Sequence, residues 1–459
     1  NFLYMALIAA QIAAIIFLCF YLPSFLPLAA VIALVWLLSA TSAAVLFSRK
    51  GAAEVKCAWF VVIAALPVAG ALIYMLATVK KKPCGILKVN AVAESGLAGA
   101  AASACGTAAA GYDHAVYFKS GAEFLKRVLS EIEGAKDSVY IEFFIISRGH
   151  IFSALLSAVK RATVNGARVK IIVDGLGSAF KIKKRDLKAL RDAGAEVKVF
   201  RRITPLPLAK LNIRDHRKIV AVDGKVAFTG GVNLADEYAN ITSPYGHWKD
   251  NGVAIYGAAA KIFEGMFLSV WHGSHEMPAP DDGKYRCLPF YDSPPAKSFY
   301  EDACVYAINN ASQRVHIFTP YFCVSGKICS ALQTASRRGV DVKVILPHIP
   351  DKKFAFAITK TYADELSPYG VQFYEYTPGF MHAKSLIADD KVFLGSYNFD
   401  YRSSHFNFEC GVMLDGATVT EAEQDFEECL ALSKPLEHKK NTLPRRLKRT
   451  LLTLVAPLI

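Results

Sequence analysis

Asp215-His216-Arg217-Lys218-Ile-Val-Ala-Val-Asp223 and Met381-His382-Ala383-Lys384-Ser-Leu-Ile-Ala-Asp389 are two copies of one pattern, His-x-Lys-x4-Asp, with their histidines 166 positions apart (382 − 216). Each copy is an apolar run that ends in a turn and leads to Gly230-Gly-Val-Asn233 or Gly395-Ser-Tyr-Asn398. Two copies in matching surroundings imply a duplicated unit whose halves each supply part of one site. In an extended strand, residues i and i+2 face the same way, so each His–Lys pair can reach one ligand. A histidine can attack phosphorus while a second protonates the departing alkoxide. Lysines and small Asn or Ser donors can hold the phosphate oxygens. The motif aspartates, five residues past each lysine, are expected to fix the turn after the strand.

The surrounding sequence repeats as well. Ala167-Arg-Val-Lys-Ile-Ile-Val matches Val340-Asp-Val-Lys-Val-Ile-Leu. The periodicity predicts helices over 122–135, 152–165, 186–193, 299–311 and 328–338. It predicts strands over 139–146, 169–173, 196–200, 315–319, 342–346 and 371–376. Strands alternating with helices argue for α/β sandwiches. Asp250-Asn-Gly-Val and Glu409-Cys-Gly-Val place a carboxylate at the start of an apolar strand, 34 and 27 residues beyond the histidines (250 − 216; 409 − 382). A catalytic histidine needs a partner that fixes its tautomer, so Asp250 and Glu409 are expected to orient the imidazoles.

These residues resemble the phospholipase D superfamily and, within it, the bacterial cardiolipin synthases. The likeness runs through Asn212-Ile-Arg-Asp-His-Arg-Lys-Ile-Val, Phe228-Thr-Gly-Gly-Val-Asn-Leu-Ala-Asp-Glu-Tyr238, Trp248-Lys-Asp250, Thr319-Pro-Tyr-Phe322 and Gly395-Ser-Tyr-Asn-Phe-Asp-Tyr-Arg-Ser403. It implies two tandem phospholipase D-like α/β/α sandwich domains that form one pseudo-twofold active site, preceded by N-terminal transmembrane helices. It also implies transfer of a phosphatidyl group from one phosphatidylglycerol to another through a phosphohistidine, giving cardiolipin. His216, Lys218, Asp223, His382, Lys384 and Asp389 form the catalytic set, with His216 as nucleophile by analogy and the reverse order open. Asn233, Ser396 and Asn398 are expected at the phosphate. Tyr321 and the Arg402-Ser403 pair are open between head-group contact and a core or turn role. No metal or cofactor is expected. A phospholipase D-type hydrolase, a transphosphatidylase with another alcohol and a non-enzymatic scaffold are the rivals.

The 459 residues carry a net charge of +13 and a mean hydropathy of +0.27. The charge suits an anionic partner, nucleic acid or acidic lipid. Residues 1–48 contain no charged side chain, enough for two apolar helices broken near Pro23 and Pro27. A third uncharged run, 57–79, lies between Lys56 and Lys80-Lys81-Lys82, with Trp59 and Tyr74 near its ends. A cleaved leader fits poorly, for want of a basic start. The expected organisation is a membrane region at 1–82, a linker at 83–111, sandwich domains at 112–285 and 286–437, and a basic amphipathic tail at 438–459. Membrane helices favour lipid over nucleic acid, and a bacterial inner-membrane, multi-pass protein is expected. Ten scattered cysteines without metal spacing read as reduced thiols, which favours a cytoplasmic catalytic domain. For the basic run Lys181–Lys188, a solvated helix face is the commoner explanation. Oligomeric state is not legible.

Overall fold

The computed structural model describes residues 28–49, 51–78, 86–88, 109–202, 212–276, 283–294, 298–437 and 442–458. The chain forms two compact units, one of residues 1–80, 205–209 and 450–459, the other of residues 81–204 and 210–449.

The larger unit holds the duplication. Its first half has strands β1 (His114–Phe118), β2 (Ser138–Phe143), β3 (Arg168–Asp174), β4 (Glu196–Phe200), β5 (Lys218–Val222), β6 (Val226–Gly230) and β7 (Gly252–Tyr256), in the order β1-β7-β6-β5-β2-β3-β4. The second half has β8 (Tyr285–Asp292), β9 (Arg314–Phe318), β10 (Asp341–Pro347), β11 (Gln372–Tyr376), β12 (Ser385–Ala388), β13 (Lys391–Gly395) and β14 (Asn407–Leu414), in the order β8-β14-β13-β12-β9-β10-β11. The two orders are the same. In each, the three strands at one end run parallel and the motif strand, β5 or β12, is antiparallel to its neighbours. Helices fall at matching places: Gly121–Gly134 and Phe299–Asn310, His150–Val164 and Gly326–Arg337, Lys184–Asp192 and Lys353–Leu366, Ala260–His272 and Ala417–Ala431.

Local sequence explains these elements. Ser120 and Ser298 each cap a helix, accepting from Ala122 N and Glu301 N at 3.2 Å. Phe124, Leu125, Val128 and Ile132 recur at helical spacing and are buried against the sheet, each burial stabilising by about 1.5–3 kcal/mol. β5 and β12 are buried along their whole length, as strands covered on both faces should be.

Three short strands tie the halves together. Ala110–Tyr112 precedes the first sheet in the chain but pairs with β8 of the second. Arg214–Asp215 runs parallel to Asn407–Phe408, and His247–Lys249 runs parallel to Gly379–Met381. The last two pairings are reciprocal: in each, the stretch before a motif histidine of one half lies beside the stretch before Asp250 or Glu409 of the other.

The smaller unit corrects what was expected of the membrane region and the tail. The uncharged run 57–79 does not form one helix. Ala53–Ala65 ends at Leu66, and a new helix, Pro67–Thr78, starts on a proline that has no N–H to continue the earlier ladder. Among the described residues, no helix is long and apolar enough to cross a membrane. The first expected span, within residues 1–27, lies outside the described residues. The helix Leu28–Ser48 and the pair after it enclose a small core of Leu46, Ile63 and Tyr74 with Trp59 against it. Trp59 and Tyr74, expected near opposite ends of one helix, meet edge-on at 5.4 Å. The basic amphipathic tail expected at 438–459 is in part a core element. Thr450–Ile459 belongs to this unit, where Leu452 and Ala456 are buried. Leu443, Leu447 and Leu451 stay exposed.

Candidate active site

His216 leaves Arg214–Asp215 with its backbone N–H donating to Phe408 O at 3.0 Å. His382 leaves Gly379–Met381 with its N–H donating to Lys249 O at 2.7 Å. These are the two reciprocal strand pairings, and each delivers a histidine to a carboxylate of the other half. His216 Nδ1 lies 3.0 Å from both Glu409 oxygens. His382 Nδ1 lies 2.6 Å from Asp250 Oδ2. The carboxylates expected from the sequence are thus engaged, but crosswise rather than each beside the motif it follows. A carboxylate on Nδ1 holds the proton there and leaves Nε2 free for the substrate.

Both carboxylates are fully buried. Ser403 Oγ and Asn407 Nδ2 donate to Glu409 at 2.8 and 3.2 Å, and Ser396 Oγ also donates to it. Asp250 accepts from Asn251 N at 2.9 Å. Burial pushes Glu409 up to about 7, opposed chiefly by Lys218. Lys218 Nζ donates to His216 O at 2.5 Å and Lys384 Nζ to His382 O at 2.6 Å. Lys384 Nζ also lies 3.0 Å from His382 Nδ1 and 3.2 Å from Nε2. Burial brings the two ammonium groups down to about 8 and about 7. Burial, then Lys218 and Lys384, hold His216 well below the usual imidazole range, with Lys352 and Arg402 adding to the effect. Burial and Lys384 bring His382 down to about 4, with Asp250 pulling the other way. Each lysine is felt by the histidine of the other half, as one shared site requires. Burial and the cations thus favour the neutral form of both imidazoles, and an entering phosphate anion opposes that by supplying negative charge.

The aromatic surroundings differ. The His382 ring is enclosed by Trp248 at 5.1 Å, Tyr238 at 5.2 Å and Phe380 at 5.6 Å. The His216 ring meets Phe144 at 5.1 Å.

Two roles expected at the phosphate need correction, and the motif aspartates take the turn role rather than the catalytic one. Ser396 was expected at the phosphate, but its hydroxyl is behind Glu409 and bonds to it and to Cys410 O. Its counterpart Gly231 has no room for a side chain, since a Cβ there would meet Asp250 Oδ1 at 2.0 Å. Asn233 spends its amide on Ile145 N (3.1 Å) and the Tyr238 hydroxyl (2.7 Å). Asn398 differs from it, with a buried Oδ1 that has no hydrogen-bond partner among the described residues. Asp223 and Asp389, placed in the catalytic set by resemblance, sit at the far end of the motif strands. Asp223 accepts from Lys136 N, Asp137 N and Ser138 N at 2.8–3.0 Å, and Asp389 from Ser312 N, Gln313 N and Arg314 N at 2.7–2.9 Å. Both adopt positive φ, 52° and 49°, which aspartate tolerates in tight turns.

Sequence reasoning missed Asn407, Tyr238 and Phe144 at the site, and Ser403 as a donor to Glu409. Ser403 and Asn407 were signalled only by their closeness to Glu409. Nothing local marks Phe144 or Tyr238.

Paired histidines, paired lysines and crossed carboxylates on two equivalent sheets make a phospholipase D-like site for phosphodiester chemistry. Residues 128–271 and 305–430 match the family described as cardiolipin synthase, PLD-like domain. The chain belongs to that family. It is 32% identical to a cardiolipin synthase of Clostridium perfringens, over 75% of this chain and 76% of the relative. It is 30% identical to the major cardiolipin synthase ClsA of Bacillus subtilis, over 74% of each chain. The fold is shared with the crystal structure of a phosphatidylserine synthase from Haemophilus influenzae, at a TM-score of 0.59 and 14% identity, covering 76% of this chain and 97% of that one.

Proposed function

We propose that this phosphatidyltransferase joins two phosphatidylglycerols into cardiolipin, releasing glycerol. The observation that carries the reading is the crossed pair of histidine–carboxylate contacts, His216–Glu409 and His382–Asp250. His216, neutral and with Nδ1–H held by Glu409, attacks phosphorus through Nε2. The phosphorus–oxygen bond to glycerol breaks, and His382, which takes up a proton on Nε2 as the phosphate anion enters while its Nδ1–H stays on Asp250, gives that Nε2 proton to the departing oxygen. A hydroxyl of a second phosphatidylglycerol then attacks phosphorus, the phosphorus–nitrogen bond breaks, and His382 takes the hydroxyl proton. Lys218, Lys384 and Asn398 hold the phosphate oxygens, and the lysines offset the charge that builds on them.

The substrate places this chemistry at a membrane. The smaller unit exposes Trp36, Leu37, Phe47 and Met75, an apolar surface suited to lipid. We place the protein at the bacterial inner membrane with its catalytic unit on the cytoplasmic side, and take anionic phospholipids as its partners. The free, buried Cys287, Cys304, Cys323, Cys410 and Cys429 support a reducing compartment.

The test is product analysis with the full chain reconstituted in phosphatidylglycerol vesicles. The expected products are cardiolipin and glycerol in equal amounts, and His216→Ala or His382→Ala lowers turnover at least ~10⁴-fold. Phosphatidic acid without cardiolipin would make the protein a hydrolase. Retained turnover in both variants would overturn the shared site.

A further inference from the structure

The loops that follow β3 and β10 occupy equivalent places in the two halves, and each leads to exposed apolar side chains. After β3, residues 175–183 are firmly held. Asp174 Oδ1 accepts from Leu176 N and Gly177 N at 2.8 and 2.9 Å. Ser178 Oγ donates to Phe144 O at 3.0 Å and accepts from Ile146 N at 2.9 Å, and Ile182 is buried in the core. The Phe180 side chain on this anchored loop is nonetheless 94% exposed. A fixed backbone that holds a phenylalanine in water forgoes the gain from burying it, which points to an apolar partner beyond the described residues.

The second loop repeats the device. Residues 348–352 are anchored by His348 N and Ile349 N, which both donate to Gly379 O at 3.1 and 3.2 Å, and by Tyr321 O–H, which donates to Asp351 at 2.6 Å. Ile349 and, just beyond, Phe354 are 41% and 53% exposed. Each loop adjoins the site: Phe144 contacts the His216 ring, and Gly379 begins the strand that delivers His382. Each also carries exposed cations, Lys183, Lys184 and Arg185 on one side, Lys352 and Lys353 on the other. Apolar tips backed by lysine and arginine suit the boundary between acyl chains and acidic headgroups.

We propose that these two loops are the membrane-docking rim of the active site. Phe180 and Phe354 enter the acyl boundary of an anionic bilayer and the flanking cations hold its phosphates, so that a lipid phosphate reaches His216 and His382 without leaving the surface. The proposal rests on the lipid-transferase reading and adds to it the surface through which substrate arrives. It also reassigns part of the basic run Lys181–Lys188 from a solvated helix face to a lipid contact.

The test uses the full chain in vesicles of phosphatidylglycerol brominated near the top of the acyl chains. Phe180→Trp and Phe354→Trp are expected to show quenching beyond that of the parent protein's own tryptophans. No added quenching at either position overturns the docking rim, whatever the enzyme's products prove to be. In parallel, Phe180→Ser with Phe354→Ser is expected to cut turnover of vesicle phosphatidylglycerol ~10-fold or more, while turnover of a short-chain, monomeric phosphatidylglycerol stays within about twofold. Equal loss on both substrates overturns the proposal in favour of a role in supporting the site. If the parent protein makes no cardiolipin from either substrate, the transferase reading fails, and the quenching result still decides the rim.

Discussion

The two half-sites share strand order, motif and reciprocal pairing, yet they treat their histidines differently. Glu409 shares its charge among His216, Ser396, Ser403 and Asn407, whereas Asp250 has a single short contact to His382 and one backbone donor. Burial and the motif lysines lower both imidazoles, but Asp250 opposes them at His382, whereas at His216 Lys352 and Arg402 add to the lowering. The first half-site therefore keeps a neutral imidazole among positive charges, where an anionic phosphate is drawn in. The second keeps an imidazole whose carboxylate partner favours carrying a proton. Duplication supplied two equivalent histidines, and the residues around them made their surroundings unequal.

The strongest way to break this comparison is through the carboxylates. Glu409→Gln and Asp250→Asn should each lower kcat by ~10²–10⁴-fold, as loss of a tautomer-fixing carboxylate does elsewhere. They should differ with a phosphatidyl ester whose leaving group needs no proton, such as p-nitrophenol. Asp250→Asn then regains the first step, because the proton from His382 is no longer required there, whereas Glu409→Gln stays slow. The measurement is the p-nitrophenol burst. Rescue of the Glu409 variant instead would put the nucleophile and the acid in the opposite halves.

The lysines give the next largest effect. Lys384 and Lys218, brought down to about 7 and about 8, lose their charge well before an ordinary lysine. KM for phosphatidylglycerol should therefore rise as pH is taken from 7 to 9. Lys384→Met should reduce kcat/KM by ~10²-fold or more at pH 7. Stability should move the other way. Because the folded pKa is depressed, the folded chain binds fewer protons than the unfolded chain between about 7 and the usual lysine value, so this residue's contribution grows as pH rises through that window. Below it the buried ammonium is a cost, and Lys384→Met should melt no lower than the parent at pH 7. A clear fall in Tm for that variant would contradict a lysine kept for function against stability.

Much of this architecture was written locally and some of it was not. The alternating helices and strands were legible because apolar spacing switches between the two periods, as in the helix Gly121–Gly134 and the strand Arg168–Asp174. The strand Tyr285–Asp292 was missed because Pro289 breaks the strand signal, although it pairs with Val412. The carboxylates were legible as repeated Asp/Glu-x-Gly-Val phrases, but their crossing was not. It depends on Arg214–Asp215 and His247–Lys249 adding to strands of the other half, and two- and three-residue pairings leave no periodic trace. The third apolar run misled for a related reason. Its composition suits one helix, and the break at Leu66–Pro67 is set by a single backbone donor that proline lacks.

The smallest effect on chemistry is expected where the comparison is most symmetric. Asp223 and Asp389 hold equivalent turns, each accepting three backbone N–H groups at the start of β2 or β9 from a left-handed conformation. Alanine at either position leaves those donors to water and loses the tolerance for positive φ, so each substitution should cost about 1–3 kcal/mol of stability. Both turns lie at the opposite end of the motif strand from its lysine, so kcat of the folded fraction should change less than ~3-fold, unlike that of the carboxylate variants. Denaturant unfolding together with turnover at low temperature separates the two quantities. A ~100-fold loss of kcat with full stability would return these aspartates to the reacting centre and end the division between turn and site.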